Sequence, residues 1–253
     1  MTDMNQQWED AGPCVDLPEG EIHIWKLALD LELPTLERYL GTLSSDERKR
    51  AKAYPRDLDS FRAIACRGRL REILSLYGAG QPAEIQFSLG PYGKPYLARG
   101  DGRLRFNLAR CEGQGLLAVA LDRELGVDLE RIRPELNIES IALALFTPGE
   151  QALLQAVEAE GRPRVFFNCW TLKEACFKAR SQSGALPLER IDVTRAQADP
   201  VWRLQLLDLG EELAAGLAFE QAPQHAPVRL RYLRRAGKEQ TLLPTDPMNG
   251  MER

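Results

Sequence analysis

The sequence predicts an α+β fold made of two similar lobes, each an antiparallel sheet packed with helices. Three observations lead there. In each half of the chain, helical spacing of apolar residues gives way to short alternating strands. The 253 residues suffice for one large domain or two half-sized ones. Hydrophobic residues make up 44%, enough to fill a core and too many for a disordered chain. The join between the lobes falls near Asp122, at the centre of the chain.

Residues 1–20 are polar, with Gly12, Pro13 and Pro18, and read as a flexible arm. The N-terminal lobe, 21–122, opens on a strand from Glu21, where Ile22, Ile24 and Leu27 stand among polar neighbours. Leu36, Tyr39 and Leu40 give residues 35–43 a helical stripe. Ser45 reads as the cap of a second helix, with Arg48 instead of Glu at the box position. The strongest helix of this half spans 61–77 on Phe61, Ile64, Ala65, Leu70, Ile73, Leu74 and Tyr77, and Gly78-Ala79-Gly80 stops it. Residues 85–89 form a short strand, 90–95 a turn cluster, and 104–108 and 116–121 further strands. Only a turn at Asp122-Arg123 separates the last of these from 125–130, which predicts an antiparallel hairpin. The C-terminal lobe, 123–235, continues with helices at 138–145, at 147–160 with Pro148 in the first turn, and at 167–180. Strands are expected at 191–194, 202–206, 217–220 and 228–233, and residues 236–253 read as a flexible tail.

Lysine and arginine total 33 against 37 acidic residues, for a net charge of −4. A general nucleic-acid binder needs a dominant basic field, so nucleic acid is not expected as a partner, although a local basic pocket for a small anion remains compatible. No run of about 18 apolar residues offers a spanning helix. The polar, acidic start lacks the basic and apolar regions of a secretory signal. A cytoplasmic protein without a membrane partner is the expectation. The cysteines, Cys14, Cys66, Cys111, Cys169 and Cys176, are odd in number, widely spaced and without a CxxC pair. They read as reduced thiols, mostly core filler. His23 and His225 are far apart, so any chemistry falls to carboxylates, lysines and arginines.

Four stretches could carry it. In Gly126-Val127-Asp128-Leu129-Glu130, strand alternation puts Val127 and Leu129 on one face and both acids on the other. Two carboxylates so placed repel unless solvated or bridged by a cation, and a hard divalent ion suits them. In Trp170-Thr171-Leu172-Lys173-Glu174-Ala175-Cys176-Phe177-Lys178-Ala179, Glu174 and Lys178 share a helix face. They form either a surface ion pair or a ligand and base beside phosphate-binding lysines. Tyr92-Gly93-Lys94-Pro95 presents a lysine on a turn. Arg48-Lys49-Arg50-Ala51-Lys52, with Arg56, Arg62, Arg67, Arg69 and Arg71 beyond it, is a basic cluster dense enough to collect an anion or dock an acidic partner.

Taken together and in this order, these stretches resemble the 4'-phosphopantetheinyl transferase superfamily in its long, two-lobed Sfp type. Residues 126–130 and 170–179 match its two signature stretches, and the likeness runs from about Leu43 to Lys178. The resemblance implies lobes related by a pseudo-twofold axis. It implies Mg2+, or alternatively Mn2+, bound by Asp128, Glu130 and Glu174. Lys94, Arg50 and Arg62 would contact the nucleotide end of coenzyme A, and Lys173 and Lys178 its phosphates. Members transfer 4'-phosphopantetheine from coenzyme A to a serine of an acyl or peptidyl carrier protein, releasing 3',5'-ADP. Glu174 and Lys178 would then be the catalytic pair, Glu174 or a metal-bound water taking the serine proton. The family usually carries Ser-His-Ser where this chain has Ala109-Arg110-Cys111. There Arg110 would hold the coenzyme A phosphates with a fixed, fork-shaped cation that accepts no proton. The alternative reading is a relative that binds coenzyme A and carrier proteins without transfer. Since one chain supplies both lobes, a monomer is expected.

Overall fold

The computed structural model describes residues 6–181, 186–221 and 228–235. Strands β1 (Trp8–Ala11), β2 (Glu21–Ala28), β5 (Leu104–Cys111), β6 (Gln114–Leu121) and β10 (Arg229–Arg235) form the larger sheet, in the order β1-β10-β2-β6-β5. Strands β7 (Leu125–Arg131), β8 (Trp202–Leu207) and β9 (Leu213–Glu220) form an antiparallel sheet with β9 in the middle. A small hairpin, β3 (Phe87–Leu89) with β4 (Pro95–Leu97), carries the turn at 90–94. The helices are α1 (Leu33–Thr42), α2 (Ser45–Lys52), α3 (Asp57–Leu76), α4 (Ile138–Leu145), α5 (Pro148–Gln155) and α6 (Arg162–Arg180). The mixed α+β architecture, with several sheets flanked by helices, is the class the sequence predicts. No described helix is long and apolar enough to cross a membrane.

Alternation along the strands sorts the core into layers. Trp25, Leu27, Leu117 and Val119 face α1 and α3, where Tyr39, Ile64, Leu70 and Ile73 meet them. Ile22, Ile24, Leu116, Ala118 and Ala120 point the other way, onto Val127, Leu129, Leu217 and Phe219 of the smaller sheet. Strand β6 is therefore buried on both faces, which is why it reads as an unbroken apolar run. The smaller sheet lays its other face, Ala214 and Ala218, beneath α6 and its neighbours. A small residue lets α1 and α3 cross closely: a Cβ on Gly68 would overlap the Tyr39 ring.

Several expectations are corrected. The arm is not loose throughout: Trp8–Ala11 pairs in parallel with β10, and Ala11, Val15 and Leu17 are buried. Arg231 and Arg234 of β10 bind Glu9 and Asp10 of β1, so charge complementarity holds the added strand. Strand β10 itself pairs with β1 and β2 and not with the second-half strands, which makes the larger sheet mixed and not purely antiparallel. The predicted hairpin of β6 with β7 does not form, because both edges of β6 are taken by β2 and β5. The chain turns instead at Asp122, with φ 48°, and β7 pairs with β9. The second helix is capped by Ser44, one residue earlier than read, with Glu47 completing a reciprocal capping box. Helix α5 stops at Gln155, short of Glu160. Residues 193–198 make a 3-10 turn where a strand was expected, Asp192 drawing the Thr194 N–H into a local bond at 3.0 Å. Of the cysteines, Cys66, Cys169 and Cys176 are buried as filler, while Cys14 is exposed and Cys111 half-buried. The tail at 236–253 lies outside the described residues.

Candidate functional site

Helix α6 lies directly on the backbone of β7 and β9, and two glycines make that possible. A Cβ on Gly126 would overlap the Ala175 carbonyl oxygen and lie 2.5 Å from the Ala179 nitrogen. One on Gly216, paired with Asp128 across the sheet, would lie 2.6 Å from the Thr171 carbonyl group. The alternation that turns Gly126 to the helix turns Asp128 and Glu130 the same way, and Val127 and Leu129 into the inter-sheet core. Glu174 and Lys178 look back from the helix one turn apart.

The three predicted acids lie on these two elements, β7 and α6, with the Asp128 charge felt by both glutamates. Lys178 Nζ donates to Asp128 Oδ1 at 2.6 Å and to the Val127 carbonyl at 3.4 Å. The other oxygen, Asp128 Oδ2, is buried without a partner. Glu174 makes no hydrogen bond or ion pair with a described residue, and Glu130 reaches only Arg133, at 3.9 Å. Burial pushes both glutamates above the ordinary carboxylate range, and the nearby Asp128 charge pushes them further. Among the described residues no three His, Cys, Asp or Glu side chains are closed into a set that would cage an ion. The donors nonetheless fit a hard cation: an orphaned buried carboxylate oxygen beside two carboxylates whose charge is poorly compensated.

The turn at 90–94 also reaches this seam, but not as the sequence suggested. Gly93, with φ 78°, bends the chain so that Tyr92 stands edge-on to Phe177 of α6, ring centroids 5.6 Å apart. Lys94 is buried rather than displayed. Its Nζ donates to the Leu125 carbonyl at 2.8 Å and to Glu124 Oε2 at 3.1 Å, tying the turn to the start of β7. It is not free to meet a nucleotide.

A cationic recess of about 220 Å³ opens on the helix side of β5, lined by Arg50, Tyr54, Arg67, Ala109 and Arg110 among others. Arg110 donates to the Tyr54 hydroxyl at 2.8 Å and lies over its ring, 5.5 Å from the centroid. Arg50 and Arg110 line this same recess. Tyr54 was missed; its only signal was an aromatic residue following the basic run.

Two cations called as coenzyme A contacts are committed elsewhere. Arg62 holds Asp30 through both ends, at 2.6 and 2.9 Å, and lines a different cavity with Lys26, Glu112 and Arg131. Lys173 is 1% exposed and bonded to Glu150 Oε2 at 2.7 Å and to the Ile191 carbonyl. It faces away from Glu174 because adjacent helical residues point about 100° apart. Glu150, fully buried, also accepts from the backbone of Thr147 and Val193. Removing the lysine strands that charge. Lys173→Met is expected to cost about 3–5 kcal/mol, read as a lowered urea midpoint.

The geometry can be set against known proteins. The family model of the 4'-phosphopantetheinyl transferase superfamily matches residues 124–225, which hold β7 and α6. The 4'-phosphopantetheinyl transferase HetI of Nostoc sp. is 34% identical over 224 residues, covering 85% of this chain and 94% of that protein. The chain belongs to the 4'-phosphopantetheinyl transferase superfamily. A putative 4'-phosphopantetheinyl transferase of Synechocystis sp. is 35% identical over 67% of this chain and 69% of its own length. A phosphopantetheinyl transferase of Thraustochytrium sp. is 28% identical over 88% of this chain and 87% of its own. Membership brings phosphopantetheinyl transfer as the general activity and coenzyme A as its substrate.

Proposed function

We propose that this protein is a transferase of the long, two-lobed Sfp type, with lobes meeting near Asp122, that moves 4'-phosphopantetheine from coenzyme A to a serine of an acyl or peptidyl carrier protein. The single observation that carries this is the buried, unpartnered Asp128 Oδ2 beside Glu130 and Glu174, with the Lys178 ammonium in the same cluster. Asp128, Glu130 and Glu174 would hold Mg2+ or Mn2+, which supplies charge neutralisation at the pyrophosphate.

The chain's own groups do the rest. Arg110 and Arg50, on the recess beside Tyr54, take the nucleotide end of coenzyme A. Arg110 stands where the family usually has His, so anion binding there is a matter of fixed charge. Lys178 keeps a cation beside the carboxylates, where phosphate oxygens gather charge as the reaction proceeds. The serine oxygen forms its bond to the pantetheine-side phosphorus while the bond to the 3',5'-ADP oxygen breaks. Glu174, whose proton affinity is raised and which no described side chain engages, takes the serine proton. The protein would work as a monomer in the cytoplasm.

The test is the mass of an apo carrier protein incubated with this protein, coenzyme A and Mg2+. A gain of one phosphopantetheine supports transfer. Binding of coenzyme A with no gain, across several carriers, supports the non-transferring relative that the Ala109-Arg110-Cys111 departure suggests. The recess has its own test. Arg110→Ala is expected to raise KM for coenzyme A about tenfold, the size of one charge-assisted contact, with little change in kcat. An unchanged KM would remove Arg110 from substrate binding.

A further inference from the structure

Strands β5 and β7 are edge strands of different sheets, and they meet in the seam. Even-numbered residues of β7 turn their backbone groups to β9, as the bond from Glu220 N–H to the Glu124 carbonyl shows. The odd-numbered ones therefore face the first lobe, where an unpaired buried N–H would be costly. Side chains supply the missing partners. Asn107 Oδ1, on the face of β5 opposite Arg110, accepts the Val127 N–H at 2.8 Å, and Asn107 is 4% exposed. The donor is a backbone N–H, so the amide must present its oxygen. Lys94 takes the Leu125 carbonyl and Lys178 that of Val127.

We propose that Asn107 is a positioning residue that fixes the register of β7 against the first lobe, and so sets where Asp128 and Glu130 stand relative to Glu174. The Val127 N–H lies in the rigid peptide unit that ends on the Val127 Cα, one residue before Asp128, so a shift of that N–H carries along the backbone that sets the next carboxylate. Asn107 is buried and its oxygen is taken by the Val127 N–H, so it acts through β7. It lies three residues before Arg110 on one strand, with the two side chains on opposite faces. Strand β5 thus carries the cation of the nucleotide recess and the anchor of the carboxylate strand on one rigid element. This rests on the function proposed above, and its test keeps the two apart.

The probe is Mn2+ alone, titrated into the full chain by electron paramagnetic resonance, beside transfer kinetics with coenzyme A and an apo carrier protein. Asn107→Leu keeps the number and branching of the side-chain heavy atoms and removes the acceptor. It is expected to weaken Mn2+ binding and lower kcat by about 10–100-fold, while KM for coenzyme A stays within about threefold. Asn107→Asp keeps an acceptor oxygen and recovers most of the loss. Folded Asn107→Leu with parental Mn2+ affinity and kcat overturns the proposal, as does an Asp variant no better than the Leu one. If Asn107→Leu does not fold, Asn107→Ser, too short to reach Val127, decides on the same readouts. A parent that neither binds Mn2+ nor modifies any carrier brings down the function reading itself, and this inference with it.

Discussion

Glu174→Gln is expected to abolish transfer and yet leave the metal-free protein more stable than its parent. The carboxylate is half-buried, engaged by no described side chain, and set near the negative Asp128. In the mechanism proposed above Glu174 takes the serine proton, which glutamine cannot do, and glutamine offers the metal only a neutral oxygen, so kcat is expected to fall by about 100–10,000-fold. Coenzyme A binding at the proposed Arg110 recess is expected to persist. Stability moves the other way. Burial first, and Asp128 second, raise the folded-state pKa of Glu174 above its ordinary 4.5. Between that ordinary value and the raised one, the native state binds more protons than the unfolded state. Stability therefore falls as pH rises through this window, and the loss persists at neutral pH. Glutamine mimics the protonated carboxyl and removes the loss. Thermal unfolding at pH 7 without divalent ions is expected to show a gain of about 2–4 °C. Transfer near the parental rate would strike Glu174 from the chemistry, and a lowered melting temperature would contradict the electrostatic account.

Gly126→Ala is expected to be among the most damaging single-methyl changes in the described residues. The added carbon would overlap the Ala175 carbonyl oxygen and crowd the Ala179 nitrogen, both in the backbone of α6. Neither side can yield by a rotamer change, so helix or strand must shift. The cost is about 3 kcal/mol, at the upper end for overpacking. The shift also separates Asp128 on the strand from Glu174 and Lys178 on the helix, and it breaks the 2.6 Å contact of Lys178 with Asp128. Urea unfolding should show the lost stability, and transfer should fall even where the variant is fully folded. Gly41, in α1 and with a Cβ position that meets nothing within 4 Å, serves as the control, since Gly41→Ala is expected to be neutral to slightly stabilising. A Gly126→Ala protein with parental stability would mean that the close approach of α6 is not what the glycine serves.

Much of the fold was legible because short-range patterns decide it. Helices α3, α4 and α6 and strands β5, β6 and β7 lie where apolar periodicity put them, to within a few residues at the ends. The candidate site was legible in part for the same reason. Strand alternation places Asp128 beside Glu130, and the helical repeat stacks Glu174 on Lys178, whatever the rest of the chain does. Partner choice was not legible. Lys94, Lys173 and Arg62 look in sequence like any cation near a phosphate motif, yet each is held by a distant acid: Glu124, Glu150 and Asp30. Helix α6 is buried nearly all round, so its sequence has no polar face to tell Lys173 from Lys178.

The sequence by itself determined the class of the fold, the family, and which acids share a strand face or a helix face, since these depend on local geometry repeated every two or 3.6 residues. Only the tertiary structure decided that β10 returns to the first sheet, that Asn107 closes the open edge of β7, and that Lys178 alone of the helix lysines meets Asp128. Those outcomes turn on which buried donors and acceptors must find each other across the chain. That is a condition on the whole packed molecule, and no window of neighbouring residues contains it.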